Sequence, residues 1–71
     1  MTPATIKAIA AKVAKRIRFA EDEGMDWPYE YADFVADCND DGFRVGGQRW
    51  YPAGLDRRRV WEEVEFLVHE S

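Results

Sequence analysis

The sequence predicts a small α+β domain, a single unit over residues 1–71, in the order helix, helix, β-hairpin, helix, with the hairpin packed on a three-helix core. Three observations predict it. Apolar residues recur at three- and four-residue steps in three stretches. Gly46-Gly47 separate two short runs of strand-forming residues. Seventy-one residues leave room for only one core.

The first helix runs from Thr2, a capping residue followed by a first-turn proline, to Glu23, and Gly24 stops it. Ile6, Ile9, Ala10, Val13, Ile17 and Ala20 share its apolar side. A second helix is expected from Asp26, with Pro28 tolerated in its first turn. Trp27, Tyr31, Phe34, Val35 and Cys38 recur along one side of it, and it should fade near Asn39–Gly42. In the hairpin, Gly46 and Gly47 can take positive φ without strain. This loop places Val45 opposite Gln48, Arg44 opposite Arg49 and Phe43 opposite Trp50. Phe43, Val45 and Trp50 then share the inner side. Pro52 lacks the N–H that a continuing strand needs and so ends the ribbon. Asp56 is expected to cap the last helix, whose buried stripe is Val60, Trp61, Val64, Leu67 and Val68. Phe19 and Phe66 fall outside these stripes. They read either as boundary residues or as a contact patch for a partner or a second copy of the chain.

A chain of this length buries only about 60% of its unfolded surface, and three Trp, three Tyr and four Phe supply the apolar area that a small core needs. The single Cys38 cannot form an intrachain disulfide, which points to a reducing compartment and the cytoplasm. The first residues have their lysines spread through an amphipathic pattern and do not read as a secretory signal. No apolar run approaches the roughly 20 residues that span a bilayer, and no membrane partner is expected.

Charge is sorted by segment. Residues 1–18 hold five Lys or Arg and no acid, and residues 19–43 hold nine Asp or Glu and no base. Residues 44–60 carry five Arg against Asp56, and residues 61–71 carry four Glu. On the second helix, Glu30, Asp33, Asp37, Asp40 and Asp41 follow three- and four-residue steps, an acidic face whose like charges weaken the helix. The offset is either cations of the first helix or a basic partner. Arg44 and Arg49 stand opposite each other on the hairpin's outer side, where like charges destabilise. Arg57 and Arg58 occupy a first helical turn, where the dipole disfavours cations. Arg44, Arg49, Arg57 and Arg58 therefore read as a basic face for an acidic partner or an anion, or as internal partners of Asp40, Asp41 or Glu62.

Chemical motifs are sparse. Asp37-Cys38-Asn39-Asp40-Asp41-Gly42 resembles the first half of a calcium loop, but Gln48 stands where the bidentate Glu is required. Cys38 and His69 are too few for a zinc site. No nucleophile, base or phosphate-binding loop stands out, so neither a catalytic role, a metal nor a cofactor is expected. The expected function is a small acidic module, an inhibitor or regulator, that docks through its charged faces on a larger protein, one that handles nucleic acid being a candidate. The alternative is a winged-helix-like nucleic-acid binder, weakened by the acids on the helix before the wing.

Overall fold

Thr2 starts the first helix. Its Oγ1 accepts the Thr5 N–H at 3.2 Å, and Pro3 follows with no N–H to leave unpaired. In this computed structural model, which describes residues 1–24 and 28–70 with the backbone alone at position 70, α1 spans Pro3–Asp22. Gly24, at φ +62°, follows its last residues.

The second helix, α2, is Tyr31–Asn39. Its start corrects the expectation of a helix through Pro28, because residues 28–30 are not helical. The expected first residue, Asp26, and Trp27 lie outside the described residues. The boundary has a local cause. Glu30 is extended, at φ −119°, and forms a capping box with Asp33, whose Oδ2 accepts the Glu30 N–H at 2.9 Å.

Strand β1, Phe43–Val45, and strand β2, Gln48–Trp50, pair antiparallel in the expected register, with Phe43 opposite Trp50, Arg44 opposite Arg49 and Val45 opposite Gln48. The turn needs φ of +62° at Gly46 and +77° at Gly47, which glycine adopts freely. The last helix, α3, spans Leu55–Glu70. Asp56 therefore sits inside the first turn and does not precede it. Gly54 holds the half-in position, its carbonyl accepting Arg58 N–H at 3.2 Å.

The core draws on both long helices, α2 and β1. Ile6, Ile9, Val13, Phe34, Cys38, Phe43, Val60 and Val64 are buried in one cluster. The starts of α1 and α3 meet where the Met1 amino group lies 3.6 Å from Asp56. Towards their ends, Arg18 donates to the Leu67 carbonyl at 3.0 Å. The two helices therefore run in the same direction. Leu67 is in the last turn of α3, the negative end of the helix dipole, so the guanidinium's charge suits that position. Among the described residues, no helix is long and apolar enough to cross a membrane.

Candidate functional site

Two places on the surface gather chemistry, one at each end of α2. The first is the C-terminal corner, where α2 turns into β1. Asp37 lies on its inner edge. Arg16 of α1 donates to its Oδ2 at 2.7 Å, and Tyr29 donates its hydroxyl to the same oxygen at 2.5 Å. The Arg16 guanidinium also lies over the Phe43 ring, 5.1 Å from its centre. Burial, reinforced by the adjacent Asp37 carboxylate, pushes the Tyr29 phenol well above its usual range. Tyr29 thus stays a hydrogen-bond donor at neutral pH.

Beyond Asp37 the chain exposes Asp40 and Asp41. Two arginines reach this corner from other elements. Arg57 of α3 donates to Asn39 Oδ1 at 3.0 Å and to the Pro52 carbonyl at 3.2 Å. Arg49 of β2 donates to the Asp41 carbonyl. Both supply positive charge at a helix C-terminus, where carbonyls are unpaired. Next to them Cys38 is buried, and burial holds its thiol protonated against the lowering influence of Arg57. A thiol so held is a poor nucleophile.

The acidic face expected of α2 is therefore divided by the fold. Glu30 and Asp33 are occupied at the N-terminal cap, and Asp37 is neutralised by Arg16. Among the described residues, Asp40 and Asp41 have no salt-bridge partner. The basic residues are divided too. Arg57 and Arg49 meet at the corner, Arg44 is exposed on the outer side of the hairpin, and Arg58 lies 3.7 Å from Glu62, one turn along α3. In the calcium-like segment, the Asp37 oxygen that would face a cation faces Arg16 and Tyr29 instead. Among the described residues, no three His, Cys, Asp or Glu side chains gather as a metal site.

The second place is a cleft of about 320 Å³ at the N-terminal end of α2, between the α1 side of the core and α3. Its walls are the rings of Tyr29, Tyr31 and Trp61, and Ile17, Val64 and Val68 add apolar surface. Tyr31 meets Trp61 edge-on, with centroids 5.2 Å apart and planes at 74°. Phe34 stacks on Trp61 at 5.3 Å and 28° from the core side. Glu30, Glu65 and His69, all exposed, also line the cleft. Helical periodicity places Tyr31 and Trp61 on buried stripes and gives no sign of this cleft, yet Tyr31 is 47% exposed. The signal that could have marked it is the Tyr29-Glu30-Tyr31 alternation, which brings two rings to one side only if the segment is extended and not helical.

Elsewhere, Phe19, Leu55 and Phe66 are more than half exposed. Phe66 borders a shallow groove with Pro3, Ile6 and Lys7. No protein-family model, curated protein or solved structure matches this chain.

Proposed function

We propose that this chain is a small binding protein, an inhibitor or regulator, that docks on a larger protein through charged faces its own fold leaves unneutralised. The observation that carries this reading is the pair Asp40 and Asp41. They stand at the C-terminus of α2, the end where the helix dipole disfavours anions. Neither has a salt-bridge partner among the described residues, although Asp37 one turn earlier does. Their placement works against stability and, among the described residues, no salt bridge of the carboxylates supports it, which argues for a use outside the fold.

The cations of α1 support the same reading. Lys7, Lys12 and Lys15 are exposed and, among the described residues, have no salt-bridge partner. Separated positive and negative zones steer and orient an incoming partner more than they strengthen the final complex. Arg44, exposed beside the acidic corner, and Arg58 would contact acidic groups on that partner. Arg49 and Arg57 would shape the corner through their existing bonds, with little freedom to leave them.

The test is capture from an extract of the source organism by the full chain and by the Asp40→Lys, Asp41→Lys double variant. The double variant should fold, because cations suit a helix C-terminus. The expected result is one stoichiometric protein partner, weakened by salt and lost in the double variant. Equal retention of that partner by the double variant, or capture of nucleic acid alone, overturns the reading.

A further inference from the structure

Between α1 and α3 runs a groove of about 450 Å³ that takes no part in the docking reading. Pro3, Ile6 and Lys7 form its α1 wall, and Arg59, Glu62, Glu63 and Phe66 form its α3 wall. The four α3 residues follow three- and four-residue steps, so they make one continuous face of that helix. Phe66 is 57% exposed, and Leu55, about three turns earlier on the same side of α3, is 69% exposed. Two large apolar side chains presented together to water mark a contact surface more than a solvated one.

The charges of the groove are sorted by wall. Lys7 makes the α1 wall positive, whereas on the α3 wall Glu62 and Glu63 outnumber Arg59. Among the described residues, Lys7, Arg59 and Glu63 have no salt-bridge partner, so no ion pair joins the two walls within one molecule. Glu62 already lies 3.7 Å from Arg58, which leaves Glu63 as the principal free anion of the face. Two copies of a chain of net charge −4 repel, and their contact is least opposed where both signs are present in equal number. The groove is such a place.

A second copy carries the complement of both walls, because a two-fold axis brings the same surface to each side of a contact. The direction of the axis follows from the parallel course of α1 and α3, fixed by Met1 against Asp56 and Arg18 against Leu67. An axis across the helices would stack α1 on α1, and residues 1–18 hold five cations and no acid. An axis along the helices stacks α1 of one copy on α3 of the other. Residues that share a level in the groove then face one another across the interface, positive wall on negative wall.

We propose that two copies of the chain associate through this face about a two-fold axis parallel to α1 and α3. Phe66 of each copy enters the groove of the other beside Pro3 and Ile6, and Lys7 of each meets the partner's Glu63. Leu55 extends the apolar part of the contact. The face is two helices wide and one 16-residue helix long, about 24 Å by 20 Å, or roughly 500 Å² per copy. That is at the small end of protein interfaces and gives a weak dimer that forms and separates with concentration.

The experiment is analytical ultracentrifugation of the full chain from about 10 μM to about 1 mM, with circular dichroism of every variant. The expected result is a monomer–dimer equilibrium with a dissociation constant of the order of 0.1 mM and no larger species. Phe66→Ser, at an exposed position, should weaken the dimer at least tenfold while the helical signal is unchanged. Lys7→Glu alone and Glu63→Lys alone should each weaken it about tenfold, since each sets like charges opposite one another twice in the dimer. Lys7→Glu with Glu63→Lys should restore it, a rescue that a merely misfolded single variant would not give. A monomer throughout the range overturns the proposal. So does a dimer that Phe66→Ser leaves intact, a double variant that stays as weak as the single ones, or growth into species larger than a dimer.

Discussion

Arg16 and Asp37 meet at 2.7 Å between α1 and α2, an ion pair that joins the basic first segment to the acidic second. The pair is partly exposed, so its own contribution is modest, but Arg16 also covers the Phe43 ring at 5.1 Å. Arg16→Gln removes both contacts and leaves Asp37 with Tyr29. The expected loss is about 1 kcal/mol of stability, measured by urea denaturation. High salt should narrow the difference from the parent chain only in part, because the packing of the arginine stem on the ring is not screened.

Tyr29 makes stability fall at alkaline pH. Its folded-state pKa is raised, by burial first and by Asp37 second, above the ordinary value of about 10 for an unfolded tyrosine. Below that value both states are neutral and the full stabilisation is present. As pH rises through about 10 the unfolded chain loses the proton first, so stability declines. Cys38, raised by burial, adds a decline of the same sign that starts lower, from about 8.5. Tyr29→Phe should cost about 1 kcal/mol at pH 7 through the lost hydrogen bond. Denaturation midpoints measured from pH 7 to 11 should show a shallower fall for the variant than for the parent.

Asp40 is the C-cap of α2 and stands at the negative end of the helix dipole. Asp40→Lys should therefore raise stability by about 0.3–1 kcal/mol at low salt, while weakening the docking proposed above. Opposite signs in the thermal midpoint and in partner capture would separate a residue kept for binding from one kept for folding. A fall in stability would show that Asp40 has an internal role.

Two kinds of glycine are distinguishable. Gly42, at φ +67°, is buried, and a Cβ there would lie 2.5 Å from the Trp50 carbonyl oxygen and 2.9 Å from the Tyr51 ring. Gly46 and Gly47 also need positive φ, but a Cβ on either meets nothing within 4 Å. Alanine at Gly46 should cost about 1 kcal/mol from backbone strain alone. Alanine at Gly42 should cost about 3 kcal/mol or more, because the strand backbone must also move. Chemical denaturation of the two variants gives the comparison.

Phe34 is wholly buried and meets Phe43 at 6.0 Å and Tyr31 at 6.1 Å as well as Trp61. Phe34→Ala should cost about 3–5 kcal/mol, a large share of the 5–15 kcal/mol typical of a domain. It should also loosen the Trp61 wall of the cleft. Circular dichroism against urea, with the Trp61 indole followed by NMR, would read both effects.

Local rules in the sequence were sufficient for the elements whose signals do not depend on distant residues. Thr2-Pro3 set one helix start, Gly46-Gly47 set the hairpin and its register, and the periodic apolar residues of α1 and α3 set which sides are buried. Those signals act over a few residues, so they can be read one segment at a time. The start of α2 was harder, because Pro28 suits a first turn in isolation and only the Glu30–Asp33 capping box moves the boundary to Tyr31. The division of the charged faces was decided by tertiary structure alone. Nothing in the spacing of Asp37, Asp40 and Asp41 says that the carboxylate of the first meets Arg16, 21 positions away in the chain, while the carboxylates of the others have no salt-bridge partner among the described residues. The cleft belongs to the same class, since Tyr29, Tyr31 and Trp61 are brought together only when α3 packs beside the entry to α2. Contacts between residues far apart in sequence depend on how whole elements pack, and that information is carried by the complete core and not by any single stretch of it.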